Sequence, residues 1–427
     1  MSFEEENNQL IKSFLERTFF KGFRDPEKYP NWSRVELYVN AKCNQQCKYC
    51  YLARYGKYLY PEADSRRIYK NTLMLLDWLD SNKFRPHFEL FSGEPLIQDV
   101  CHKIIGELIK RRSRSIVIPT NFTFVLYPKI EKEVLSLISK AKASDVKLLL
   151  SASIDGKYCE ANRPIKGYKV DPRDDKFYDR VFTICSKFGY GFHPMVYSEL
   201  IENWRDNFLW FQSMFKKHNI PWWNLYLLEV RNVEWSRKQI YHLGEFIKFL
   251  LDWSYKKTRG NLLDFILRMK GFNILSNPVT RVGRGIGCSI QSVMNVRLHD
   301  LAIFPCHRTS YPQFKLGEFE VKDKRIIRVR AVNPDLWIAI LTFDANTFPY
   351  CEQCPVKYLC GKGCLGSQYE VTGDLFTPIP TVCEMEHWKL YCYVEKMKDL
   401  GLLDALKSLV TPEKRSSIEF LEGEIKK

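Results

Sequence analysis

Hydrophobic positions change their spacing in a regular order along the chain. Leu10, Ile11, Phe14 and Leu15 recur at helical intervals, which predicts an amphipathic helix over 3–18. Two prolines in KGFRDPEKYPNW end it. Val35-Glu36-Leu37-Tyr38-Val39 then alternates as a strand. Helical periodicity follows at about 64–82, and Phe88 to Phe91 reads as a strand running into Ser92-Gly93-Glu94-Pro95. The pattern repeats: helix near 97–112, strand 116–118, helix 128–143, strand 148–154, helix 175–188, strand 192–197, helix 203–217, strand 225–230. Six strand–helix repeats with short strands predict a parallel sheet with helical crossovers. A doubly wound sheet and a barrel both fit, and either builds its site from the loops after the strand C-termini.

Residues 235–272 read as helices, with Leu243, Phe246, Ile247 and Leu250 on one face. After Pro278 the texture changes to a glycine-rich stretch, Arg281 to Gly287, then to short strands, turns and a cysteine-dense region ending near 392. No repeat of fixed period and no low-complexity segment interrupts the chain.

The chain has 427 residues, 45% of them hydrophobic, enough for two or three packed domains. No apolar run is long enough to span a membrane, and the acidic start MSFEEENNQL lacks the basic region of a signal peptide. A cytoplasmic location is expected, where fourteen cysteines point to metal or catalysis rather than disulfides. The net charge of +15 favours anionic partners, although a basic solvated surface is its commoner reading.

Cys43, Cys47 and Cys50 lie within eight residues, directly after the first predicted strand. A zinc site normally takes four protein ligands, or three and a water. Three cysteines with no nearby histidine suit instead three irons of a [4Fe–4S] cluster, the fourth iron staying open. This C-x3-C-x2-C spacing, with Tyr49 before the last cysteine, resembles the radical S-adenosylmethionine (SAM) superfamily. The resemblance implies that the open iron binds the amino and carboxylate groups of S-adenosylmethionine. It also implies roles for later segments. Ser92-Gly93-Glu94-Pro95 looks like the family's Gly-Gly-Glu-Pro, with Ser92 departing from the first glycine; its backbone and Glu94 would take the methionine ammonium. Ser153 and Asp155, in Ser153-Ile154-Asp155-Gly156, would meet the ribose and carboxylate side. Arg163 resembles the arginine that pairs with the methionine carboxylate, and Tyr49 would pack near adenine.

The C-terminal cysteines run C351-x2-C354-x5-C360-x3-C364, then Cys383, with Cys288 and Cys306 upstream. A zinc ribbon accounts for the first four only. The seven-cysteine series resembles the SPASM domain of radical SAM enzymes that modify peptides. By that resemblance Cys351, Cys354, Cys360 and Cys383 hold an outer [4Fe–4S] cluster, and Cys288, Cys306 and Cys364 an inner one. Some members carry a further cysteine where this chain has Met294, so the inner cluster would have an open iron. Leu301 stands where the family favours glycine, a departure that bears on the turn rather than on a ligand. Sulfatase-maturing relatives place an acid just after the second cysteine of the series; His307 stands there. A histidine can act as a base near neutral pH, or merely bond a neighbour or face solvent. Cys159 lies near Arg163 in sequence, and a buried structural thiol is its commoner reading.

The expected fold is a partial (β/α)6 barrel over 34–234, with a helical arm at 1–33, a helical linker at 235–287, a SPASM domain at 288–392 and a helical tail at 393–427. The expected activity is radical modification of a ribosomally made peptide, for instance a thioether cross-link. S-adenosylmethionine and three [4Fe–4S] clusters are the expected cofactors. Expected partners are the precursor peptide and an electron donor such as flavodoxin or ferredoxin. Neither end has room for an 80-residue leader-binding domain, so leader recognition is expected to use a separate protein, the barrel rim, or nothing. Membranes are not expected partners. The rival readings are a sulfatase-type formylglycine maturase, which His307 disfavours, a nucleic-acid-modifying enzyme, which the +15 charge favours and the SPASM-like series disfavours, and a zinc-containing interaction module without catalysis.

Overall fold

The computed structural model describes residues 34–60, 64–276, 278–279, 290, 293–342, 349–361 and 363–425. The helical arm expected before residue 34, the glycine-rich stretch and Cys288 lie outside them.

Eleven strands appear among the described residues: β1 (Arg34–Tyr38), β2 (His87–Phe91), β3 (Ser115–Thr120), β4 (Lys147–Ala152), β5 (Gly191–Phe192), β6 (Met195–Val196), β7 (Leu228–Glu229), β8 (Val293–Arg297), β9 (Ala302–Phe304), β10 (Gly317–Lys322) and β11 (Arg325–Ala331). The helices are α1 (Tyr51–Leu59), α2 (Ser65–Ser81), α3 (Asp99–Lys110), α4 (Pro128–Ala143), α5 (Asp175–Phe188), α6 (Trp204–Lys217), α7 (Arg237–Lys257), α8 (Leu262–Arg268), α9 (Pro334–Thr342), α10 (Leu365–Thr372), α11 (Pro380–Asp399), α12 (Leu403–Ser408) and α13 (Pro412–Ile425). They form two compact units. The first comprises the described residues up to 152, with 165–181 and 290–342; the second comprises 153–164, 182–279 and 349–425. No described helix is long and apolar enough to cross a membrane.

The first unit carries a sheet in the order β11-β10-β9-β8-β1-β2-β3-β4. From β8 to β4 the strands run parallel; β9, β10 and β11 are antiparallel. The parallel half is the mixed α/β architecture that the alternating pattern predicts. Residues level in a parallel ladder share a face. Val35, Leu37, Phe88, Leu90, Ile116, Ile118, Leu148 and Leu150 make one face apolar, and all are buried. The other carries Arg34, Glu36 and Tyr38 beside His87, Glu89 and Phe91. The crossover helices are amphipathic: α2 buries Ile68, Leu75, Leu76 and Leu79, and starts on an Asp64 cap that accepts from the Arg66 amide.

Three local expectations differ from the structure. The strand expected over 192–197 is two fragments, β5 and β6, because Pro194 has no amide to donate between them. The strand expected over 225–230 shrinks to β7; the amide of Leu227 turns to the Gly271 carbonyl at 3.2 Å instead. β8 was not foreseen as a parallel partner of β1. Met294 lies within it, level with Val35 and 2% exposed, as a core residue. Leu301 takes a positive φ of 57° in the turn between β8 and β9, the conformation glycine adopts without strain.

In the second unit α7 begins with a capping box in which Ser236 and Gln239 bond each other's amides. Gly244, midway along α7, lies against α11: a Cβ there would come 2.4 Å from Trp388 Nε1 and 2.7 Å from Cys392 Sγ. The core is aromatic. Phe208 is fully buried, with Trp253 edge-on at 5.0 Å and Phe249 and Phe272 each at 5.9 Å. Phe208→Ala should therefore destabilise the second unit by about 3–5 kcal/mol, the usual cost of a large core truncation, measured by urea unfolding.

Candidate functional site

The last ladder bond between β1 and β2 is from the Val39 amide to the Phe91 carbonyl, at 3.0 Å. Beyond it the chain enters the loop of Cys43, Cys47 and Cys50, all half-buried. The Gln45 amide points at Cys43 Sγ, 3.4 Å away, and the Cys50 amide bonds the Cys47 carbonyl at 3.1 Å. Cys50 is the N-cap of α1, a helix the sequence pattern did not reveal, and Tyr49 is buried just before it. Burial, then the nearby Glu94 carboxylate, pushes the Cys43 thiol up to about 12. A thiol so raised loses its proton when a metal takes its place. Among the described residues no three Cys, His, Asp or Glu side chains gather closely enough for a single metal ion. A cluster distributes its thiolates over several irons, and three half-buried thiols on one loop, one of them met by a backbone N–H, fit that demand.

The Ser92-Gly93-Glu94-Pro95 loop is bonded directly to the cysteine loop. The Gly93 amide bonds the Asn40 carbonyl at 3.1 Å, and the Glu94 amide bonds the Lys42 carbonyl at 2.9 Å. A Cβ on Gly93 would lie 2.4 Å from the Lys42 carbonyl oxygen, so only glycine allows this approach. Ser92, the departure from glycine, donates its hydroxyl to Asn40 Oδ1 at 2.9 Å. Gln98 ties the pair: its amide nitrogen bonds the Lys42 carbonyl (3.0 Å), Ser92 Oγ (2.7 Å) and the Glu94 carbonyl (2.8 Å), while its oxygen accepts from Asn40 Nδ2 at 2.8 Å.

The Glu94 side chain, 1% exposed, accepts from the Leu96 amide (3.0 Å), the Thr120 hydroxyl (2.7 Å) and the Asn121 amide (2.6 Å). Asn121 Nδ2 continues to Asn44 Oδ1 at 3.1 Å, back in the cysteine loop. Asn40, Gln98, Thr120 and Asn121 were not singled out from sequence. Their one signal is position, as polar residues just past the C-termini of parallel strands.

Cys306 follows β9 in the first unit, half-buried, with the Thr309 hydroxyl 3.5 Å from its sulfur. The ring of His307 stacks on Phe91 at 4.5 Å, and its Nδ1 is 3.5 Å from Glu36 Oε2. Glu36 belongs to a polar row across three level strands: Asn295 on β8, Glu36 on β1, Glu89 on β2. Asn295 Nδ2 donates to Glu36 Oε2 at 3.2 Å, and Arg34 reaches Glu36 at 3.3 Å and Glu89 at 3.0 Å. Burial raises the Glu89 carboxyl from 4.5 to about 7; Arg34 opposes the shift and Glu36 adds to it.

In the second unit the loop after β4 is held internally. Arg163 Nη1 donates to the Ser153 carbonyl at 2.6 Å, and Nε pairs with Asp155 Oδ1 at 2.9 Å. The same carboxylate oxygen accepts from the Met195 amide at 2.9 Å. The guanidinium thus joins two of the residues singled out with it. Burial and then the Arg163 charge lower His193 to about 4, so this imidazole is neutral at physiological pH. Cys159, beside them, is fully buried, as are Cys101 and Cys392, with Cys185 1% exposed.

The remaining cysteines of the second unit meet at one cavity of about 870 Å³, lined by Cys351, Cys354, Cys360, Cys364, Cys383 and Gln368. Burial, and then the nearby sulfurs of Cys360, Cys351 and Cys354, push the Cys383 thiol up to about 12. Those are the four residues expected to share the outer cluster. Cys364, expected with the inner one, caps α10 in the same cavity wall. Beneath lies a buried charge network. Arg231 Nη2 reaches Glu386 at 2.7 Å and Glu229 at 2.5 Å, and Lys389 reaches the same two carboxylates at 2.8 Å and 3.0 Å.

No family model matches the chain, and no curated protein matches it. Among solved structures it resembles SuiB of Streptococcus suis bound to precursor peptide SuiA, with 12% identity and a TM-score of 0.50 over 84% of this chain and 79% of that one. SuiB bound to S-adenosylmethionine matches at 11% identity and TM-score 0.46, and a further SuiB structure at 14% and 0.47, each over 82% of this chain and 76% of that one. At such identity the likeness to the SuiA complex is one of fold: mixed α/β with a large parallel sheet.

Two measurements probe this geometry. The folded state holds the Glu89 proton up to about pH 7 while the unfolded state releases it near 4.5. Stability from this group is complete below pH 4.5 and is lost as pH rises through about 7. Glu89→Gln should therefore be more stable than wild type at pH 8, by up to roughly 3 kcal/mol, with the gap closing below about pH 5 in a pH series of thermal unfolding. Separately, Arg163→Ala removes the 2.9 Å ion pair to the fully buried Asp155 carboxylate, and should cost about 3–5 kcal/mol in denaturant unfolding.

Proposed function

We propose that this chain is a radical SAM enzyme of the SPASM type that modifies a ribosomally made precursor peptide. The observation that carries it is the three-cysteine loop after β1, bonded through Asn40, Lys42, Gly93 and Gln98 to the Ser92–Pro95 loop after β2. The fold likeness to SuiB, a protein solved with a precursor peptide, supports a peptide substrate. In this reading residues 34–234 form a partial (β/α)6 barrel and 288–392 a SPASM domain in a cytoplasmic enzyme.

Cys43, Cys47 and Cys50 would hold the SAM cluster. Cys351, Cys354, Cys360 and Cys383 would hold the outer auxiliary cluster, and Cys288, Cys306 and Cys364 the inner one. When bound and reduced, the first cluster would supply one electron to the sulfonium of S-adenosylmethionine, so that its S–C5′ bond breaks to methionine and a 5′-deoxyadenosyl radical able to take a hydrogen atom from the peptide.

This chain's residues bind and orient. Glu94, with the Ser92–Gly93 backbone, takes the methionine ammonium; Thr120 and Asn121 fix the carboxylate's direction. Tyr49 packs by adenine, and Ser153, Asp155 and Arg163 take the roles their family resemblance assigns. His307, its ring held flat on Phe91 and facing Glu36, is the candidate base. The product is a cross-link, with a thioether the leading form. An external electron donor completes the system.

Cys47→Ala should abolish reductive cleavage of S-adenosylmethionine to 5′-deoxyadenosine, and iron should fall by about four per chain, the content of one [4Fe–4S] cluster. Unchanged 5′-deoxyadenosine production by the variant would overturn the reading.

A further inference from the structure

Among the described residues, nothing pairs with the side-chain amide of Gln368. It is 1% exposed, and neither its Oε1 nor its Nε2 has a hydrogen-bond partner there. A primary amide brings two donors and an acceptor, and burying it dry and unpaired is unfavourable. Gln368 sits one turn into α10, its own backbone amide bonded to the Cys364 carbonyl at 2.8 Å. That places it in the wall of the cavity shared by Cys351, Cys354, Cys360, Cys364 and Cys383.

Two charged groups of that wall, Arg231 and Glu386, are already committed. Arg231 is paired with Glu229 and Glu386, and Glu386 is also held by Lys389. Two cations and two carboxylates cancel, so the network offers the cavity little net charge. Gln368, like the indole of Trp388, is thus a buried neutral donor in the wall that carries five thiols, and it is the one set on the helix that Cys364 caps.

We propose that Gln368 is a positioning and tuning residue for the iron–sulfur cluster of this cavity, its amide N–H donating to a cluster sulfur or a ligating thiolate. The inference rests on the reading of the cavity as a cluster site. Hydrogen bonds to the sulfurs are among the factors that set a cluster's potential. They stabilise the more negative, reduced state, so Gln368 holds the potential up.

The test uses reconstituted full-length protein, with iron content and an EPR-monitored redox titration as readouts. Gln368→Met keeps the length of the side chain and removes both amide atoms. It should retain wild-type iron while one cluster's midpoint moves to lower potential and the others stay. Gln368→Glu, which adds negative charge at the same point, should lower the same midpoint further. Wild-type midpoints in both variants would overturn the inference, as would loss of iron in both, since the residue would then be scaffold. Cys354→Ala serves as the control. If it loses no iron, the cavity is not a cluster site and the functional reading fails there; if it loses about one cluster's iron and the Gln368 midpoints do not move, only the present inference fails.

Discussion

Everything in the first unit's site depends on how closely two loops approach past the ends of β1 and β2. The ladder does not stop with the strands. It runs on from Val39–Phe91 through Gly93–Asn40 to Glu94–Lys42. Such continuation requires that residue 93 have no side chain, because the Lys42 carbonyl occupies the place a Cβ would take. Asn40 and Gln98 then bond each other, and Gln98 also takes the Lys42 carbonyl. The cysteine loop thereby gains a fixed wall without any helix or strand of its own.

The sheet beneath is unusual in its two faces. One is a continuous apolar surface; the other buries Glu36 and Glu89 side by side in register. Two adjacent carboxylates with little solvent cannot both ionise at low cost. Arg34 bridges them, Asn295 donates to one, and the other keeps its proton to near neutrality. This strained row lies under His307, whose ring is fixed by Phe91 on one side and Tyr51 on another. Aromatic packing rather than hydrogen bonding sets its orientation.

The second unit meets a similar problem by pairing two cations with two carboxylates. Arg231, Lys389, Glu229 and Glu386 are buried together, and each cation touches both carboxylates. Removing any one member would leave a buried charge uncompensated. The network draws on β7, the turn after it and α11, so it ties the aromatic core to the wall of the cysteine cavity.

Local pattern alone determined the alternation of strand and helix through α6, because crossover helices and buried parallel strands each carry a strong periodic signal. It determined the cysteine groups as well, since ligand spacing is local, and it marked Ser92–Pro95 and Ser153–Gly156 by motif. Other features needed the folded chain. Polar residues such as Gln98, Thr120 and Asn121 have no periodicity of their own, and their use follows from which loops the sheet brings together. The pairing of β8 with β1 joins residues some 259 apart, as Asn295 and Glu36 illustrate, and no local pattern encodes such a register. The split of the strand expected at 192–197 followed from Pro194, a local residue whose effect depends on a ladder amide being required there. Gln368 carried no motif at all. Only the burial of its amide in the wall of a cysteine-lined cavity gives it a role, and burial is a property of tertiary packing.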